Sequence, residues 1–157
     1  LGARVIACDL IGERLEKAKG LGADESINPS AEDPIARAKE LTEGRGANAV
    51  IVAVGGHKPI AQGMEMAGIC GTVNLFAGTY PPLTSPFDPN VVHYKQLWVT
   101  GSHDFTPHDF TTALKLMAQG IVRVKPLISH VLPLERAKEG FDIVAGQKGL
   151  KVIIAIA

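Results

Sequence analysis

The sequence predicts an α/β fold, a doubly wound sheet of parallel strands, from three observations. Short β-branched runs alternate strictly with helix-period segments, and glycines or capping residues mark the joins. The strand candidate "ANAVIVAVGG" is also apolar without alternation, the pattern of a strand buried on both faces of a parallel sheet.

The opening stretch "ARVIACDL" carries the first strand over Val5 to Cys8, with Asp9 at its carboxyl tip. Leu10, Arg14, Leu15 and Ala18 then fall at helical spacing, Lys17 and Lys19 suit the dipole of the last turns, and Gly20 and Gly22 stop the helix. "ESINP" is a short strand ended by Pro29. Asp33 as cap and Pro34 at the first helical position start a second helix. After "ANAVIVAVGG" come a helix over "KPIAQGMEMAG" and a strand over "GTVNLFAG". From Thr79 to Pro89 the prolines at 81, 82, 86 and 89 forbid a regular element, so this is a surface connection. "KQLWVTGS" is the next strand. Thr106 caps a helix with Pro107 and Asp109 in its first turn, ending at Gly120. The tail holds an extended stretch, a helix from about Leu134 to Ala145, and a strand from Lys151.

Composition bounds the function. The 157 residues are close to one domain's worth, and Lys plus Arg equals Asp plus Glu at 16 each, so no net field draws the chain to nucleic acid or an acidic membrane. No apolar run is long enough to span a bilayer, which with the missing signal peptide predicts a cytoplasmic protein. Cys8 and Cys70 both sit in apolar stretches and are expected as buried, reduced thiols. An initial Leu1 in place of Met predicts processing, truncation or excision from a longer product.

An acid ending a strand in a dinucleotide-binding fold accepts hydrogen bonds from the adenine ribose, and Asp9 stands in that kind of place. Its alternative role is to cap the helix that follows. A carboxylate there repels a ribose phosphate, which favours NAD over NADP.

"LGARVIACDLIGERLEKAKGLGADESINP", followed by "GANAVIVAVGG", "GTVNLFAG", "VTGS", "VKPLISHVLPLERAKEGFDIV" and "GLKVII", resembles the second half of a zinc-containing medium-chain alcohol dehydrogenase, nearest the sorbitol and threonine dehydrogenase branch. The order and spacing of these pieces carry the resemblance, which spans essentially the whole chain. It implies a Rossmann-like doubly wound sheet that lacks its first strand and glycine-rich loop. It also implies a truncated dinucleotide-binding domain over residues 1–124, and a segment over 125–157 that returns to a catalytic domain. By resemblance Asp9 and Arg14 lie by the adenosine ribose, Val54 and Gly55 pass along the cofactor, Phe76, Ala77 and Gly78 lie beside the nicotinamide, Gly101 and Ser102 form a later cofactor-side turn, and Lys151 approaches the pyrophosphate. His103 falls where that branch places substrate-pocket residues, although the branch's Phe-Arg pattern is not kept.

The family's G-x-G-x-x-G loop has no match: "GLGADE" follows a helix and "GRGANA" precedes a strand. The family's catalytic zinc is held by Cys, His and Glu of an N-terminal domain, and His57, His93, His103, His108 and His130 show no ligand pair on one helix, so no catalytic or metal residue is assigned.

The resemblance thus implies an NAD-dependent alcohol or polyol dehydrogenase moving a hydride from a secondary alcohol, with this chain inactive alone. A non-catalytic assembly module and a zinc-independent quinone reductase relative are the other readings. Without its first strand the sheet has a gap between "ARVIAC" and "NAVIVAV", to be closed by direct pairing, by a strand from a partner chain, or by a separate segment. Self-assembly through exposed strands is therefore expected.

Overall fold

The computed structural model describes residues 2–82, 84 and 87–156; Leu1 and Pro86, used above, lie outside them. The chain forms two compact units, Leu1–Asp104 and Phe105–Ala157.

The first unit begins with β1 (Ile6–Cys8), α1 (Gly12–Leu21), β2 (Glu25–Ile27) and α2 (Pro34–Leu41). β1 and β2 pair in parallel, Ile6 opposite Glu25 and Cys8 opposite Ile27. Gly20 lies inside α1, and Gly22 alone ends it, at φ 112°, where a side chain would be strained. Asp33 caps α2 as expected, its carboxylate accepting from the Ile35 and Ala36 amides.

The unit continues with β3 (Ala47–Val52), α3 (His57–Met66), β4 (Ala67–Leu75), α4 (Pro89–Lys95) and β5 (Trp98–Gly101), the three strands forming a second parallel sheet in the order β3-β4-β5. Its core is the underside of α3 on β3 and β4. Ile60 and Met64 meet Val52, Ala67, Val73 and Leu97, and Val73 has no exposed surface. Gly63 makes the approach possible, because a Cβ built there would sit 2.7 Å from Val52 Cγ2. Lys95 closes the same helix. Its ammonium lies 2.9 Å from the Glu65 carbonyl, 3.2 Å from the Ala67 carbonyl and 3.2 Å from the Glu65 carboxylate, a cation at the negative end of the α3 dipole.

Four expectations need correction. β3 is not buried on both faces: Val50 and Val52 turn toward α3, whereas Ile51 on the opposite face is 69% exposed, because nothing among the described residues covers that face. β4 starts at Ala67 rather than Gly71. Between the pairs Ala47–Ala67 and Ala49–Thr72, β3 advances two residues and β4 five, and the surplus forms an excursion with Cys70 at φ 57°. That excursion exposes Cys70, and Cys8, on a strand with one neighbour, is exposed too, so neither thiol is buried. Finally, α4 is a helix the proline-rich stretch concealed, although Asp88, accepting from the Asn90 amide, and Pro89 are a regular start signal. Of the three ways to close the sheet gap, direct pairing does not occur: β1 pairs with β2, and β3 with β4.

The second unit holds α5 (Pro107–Ala118), β6 (Ile128–Pro133), α6 (Ala137–Ala145) and β7 (Lys151–Ala155). β6 and β7 pair in parallel, and Gly140 of α6 brings its backbone close to both, an added Cβ falling 3.1 Å from Ile154 and 3.2 Å from Val152 side-chain carbons. Thr106 and Asp109 form a full capping box at the start of α5.

Two measurements test this packing. Gly63→Ala gains about 1 kcal/mol of helix propensity but overpacks the α3 contact by about 1–3 kcal/mol, so urea unfolding should show no gain and up to about 2 kcal/mol of net loss. The Thr106 hydroxyl and amide hold the Asp109 carboxyl below its usual range. The capping box thus contributes fully above the unfolded carboxylate value and is lost as pH falls through the lower folded one. Amide exchange at the start of α5 should speed up over that acidic interval, and Asp109→Asn should flatten the response.

Candidate functional site at the carboxyl ends of the strands

Every strand pair in the first unit is parallel, so the chain leaves each sheet at the same edge. Ligands of open α/β sheets bind at that edge.

Asp9 follows β1 directly. Its amide donates to the Ile27 carbonyl at 3.3 Å, which ties it to the end of β2. Oδ1 accepts from the Ile11 amide at 2.8 Å and Oδ2 lies 3.6 Å from Arg14 Nη1. Both side chains are only partly covered, at about 30% exposure, so the carboxylate is oriented by its own loop while solvent still reaches it. Asp9 is not the cap of α1, whose N-cap is Ile11 without a side-chain hydrogen bond; one carboxylate oxygen orders the turn that leads into the helix, and lone pairs on the carboxylate stay open to solvent. Beside it the Cys8 thiol, partly covered at its sulfur although the residue as a whole is exposed, is pushed up from its ordinary value by desolvation, then by the charges of Asp9 and Glu32.

At the ends of β3, β4 and β5 lies a cavity of about 450 Å³. Ile60, Leu75, Phe76 and Ala77 supply its apolar wall, and Gly78, Thr79, Ser102 and His103 complete it. The backbone holds this rim together. The Phe76 and Ala77 amides both donate to the Val52 carbonyl, at 3.1 and 3.0 Å, and the Ser102 amide donates to the Leu75 carbonyl at 3.3 Å. Gly55 is packed so closely against the Gly78 carbonyl that a Cβ would coincide with it, whereas a Cβ on Gly78 itself would meet nothing within 4 Å. One glycine is there for contact between two loops. The other leaves open space along the rim.

Of the residues assigned from sequence, Phe76, Ala77, Gly78 and Ser102 come together around the cavity, with Gly55 behind Gly78 and Gly101 at the end of β5. Val54 is exposed beyond the end of β3. Asp9 and Arg14 form a pair at the end of the other sheet. Lys151 opens β7 in the second unit, where its carbonyl accepts the Ser129 hydroxyl at 3.1 Å.

Sequence reasoning missed four contributors, Leu75 of the apolar wall among them. Ile60 and Thr79 line the cavity, and Asn74 holds Ser102, whose Oγ lies 2.7 Å from Asn74 Nδ2 and 3.0 Å from Oδ1. An amide side chain inside the apolar run "GTVNLFAG" was the one available signal. Among the described residues no three His, Cys, Asp or Glu side chains gather as a metal site, and no helix is long and apolar enough to cross a membrane.

Comparison with known proteins agrees with this architecture. L-Threonine 3-dehydrogenase of Bacillus velezensis is 35% identical over 97% of the chain, and D-xylulose reductase A of Aspergillus oryzae is 33% identical over 97%. The chain spans only 44% and 43% of those two proteins. Benzyl alcohol dehydrogenase from Acinetobacter calcoaceticus superposes with a TM-score of 0.91 at 28% identity, covering 99% of this chain and 43% of that one. Alcohol dehydrogenase from Thermus sp. ATN1 gives 0.88 at 30%, covering 99% and 44%. The zinc-binding dehydrogenase model matches residues 1–119, and with the Rossmann-like parallel sheets described above the chain belongs to that zinc-type alcohol dehydrogenase family.

Proposed function

We propose that the chain forms the cofactor-binding part of an NAD-dependent zinc-type alcohol or polyol dehydrogenase, working within a longer protein. The observation that carries this reading is the Asp9 carboxylate at the end of β1, oriented by the Ile11 amide and still open to solvent.

The residues fit the two ends of a dinucleotide. A carboxylate that accepts but cannot donate suits a ribose diol, and it disfavours a ribose phosphate, hence NAD over NADP. Arg14 beside it steadies the charge. At the other end, Phe76, Ala77 and Gly78 offer a mostly apolar cavity for a flat ring, and the open face of Gly78 allows close approach. NAD would supply the hydride acceptor, and the work of these side chains is to bind, orient and keep water off one face of the ring. The pyrophosphate is served less completely: Lys151 is proposed to approach it, and the 157 residues contain no G-x-G-x-x-G loop. The described residues do not fit a catalytic zinc, so no step is assigned to one here, and we expect no alcohol turnover from the chain by itself.

The open edges of β1, β3 and β5 support self-association, since among the described residues each strand pairs on one side only and Trp98 of β5 is 74% exposed.

Saturating the chain with NAD at a hundred times its dissociation constant should stabilise it by about 2.7 kcal/mol in a thermal shift, and Asp9→Asn should weaken NAD while narrowing the preference over NADP. No shift with NAD would favour a non-catalytic module, and clear polyol turnover by the pure chain would overturn the division of labour. Light scattering should detect dimers or larger species; a stable monomer at high concentration would refute self-association.

A further inference from the structure

In the second unit β6 advances two residues, Ile128 to His130, while β7 advances one, Lys151 to Val152. Ser129 is therefore the surplus residue of a β-bulge, a device that re-aims side chains beside it. Its hydroxyl donates to the Lys151 carbonyl at 3.1 Å, and His130 Nδ1 lies 3.0 Å from the same hydroxyl oxygen. A carbonyl only accepts and a hydroxyl has one hydrogen, so Nδ1 carries a proton and donates to Ser129. Gly149 makes room for the pair, because a Cβ there would sit 2.7 Å from Ser129 Oγ and 3.3 Å from His130 Nδ1. The main chain of Lys151 is thus held by a two-residue relay, whereas its ammonium has no hydrogen bond or ion pair among the described residues. We infer that Ser129 and His130 are positioning residues for Lys151: they fix the start of β7 so that the ammonium is presented to a phosphate oxygen of the cofactor.

The inference rests on the dinucleotide reading, in which Lys151 approaches the pyrophosphate. A lysine ammonium is a point charge on a flexible stem, so a fixed main chain narrows the space it samples and lowers the entropy lost when it meets a phosphate. Neither Ser129 nor His130 need touch the ligand, since both act through Lys151. Their effect on NAD therefore depends on the charge at position 151, which a role confined to the stability of the β6–β7 pair would not.

The test is a double-mutant cycle of Ser129→Ala and Lys151→Gln on the intact chain, read by calorimetry as dissociation constants for NAD and for adenosine, which lacks the pyrophosphate. Lys151→Gln should weaken NAD about tenfold and Ser129→Ala about three- to tenfold, as expected for one lost charged or neutral hydrogen bond, with adenosine unchanged. The double variant should be no weaker than Lys151→Gln alone, and Ser129→Thr, which keeps the hydroxyl, should retain the parent affinity. His130→Phe should repeat the Ser129→Ala result and takes its place in the cycle if that variant does not fold. Losses that add in the double variant, losses that reach adenosine equally, or an NAD affinity unmoved by both Ser129→Ala and His130→Phe overturn the inference and leave the cofactor reading standing. Absence of NAD binding by the parent chain removes the cofactor reading, and the inference with it.

Discussion

The contact of α3 with β3 and β4 governs the rest of the first unit. Met64 and Ile60 can reach Val73 and Val52 only because Gly63 puts no Cβ between the helix and the sheet. An ordinary side chain would hold the helix off and leave Val73 without its cover. Lys95 then fastens the carboxyl end of α3 to α4. The cavity wall inherits its geometry from this arrangement. Ile60 belongs both to the core and to the lining, so the same packing that stabilises the unit shapes the site.

Strand polarity does the second part of the work. Parallel β3, β4 and β5 end together, and the backbone bonds from Phe76 and Ala77 to Val52 and from Ser102 to Leu75 carry the ladder one step beyond the regular strands. The rim is therefore a continuation of the sheet and not a free loop. Asp9 is held in the same way to the end of β2. Asp9 and the cavity rim have a common physical logic: a carboxylate or an apolar wall placed where backbone hydrogen bonding runs out and a ligand can take over.

Much of the site was legible in the sequence because its signals are local. An acid after a β-branched run, a glycine pair after another and an Asp-Pro or Thr-Pro helix start each act within a few residues. Asp33 and Thr106 accordingly cap the helices they were expected to cap, and Asp9 and Gly55 lie just beyond strand ends. What was not legible depends on partners far along the chain. Asn74 matters through Ser102, 28 residues away, and Lys95 matters through Glu65 and Ala67. Cys70 sat in an apolar stretch, but its exposure follows from three surplus residues in β4 that only the pairing with β3 reveals.

By itself the sequence determined the alternation of strands and helices, their parallel class and the caps, since these follow from periodicity and from residues that bond their own neighbours. Only the tertiary structure decided which faces are covered, that β1 and β3 do not pair, and that Thr79 and His103 share a cavity with Phe76. Burial and register depend on what lies across the sheet, and a neighbour in space leaves no mark on spacing along the chain.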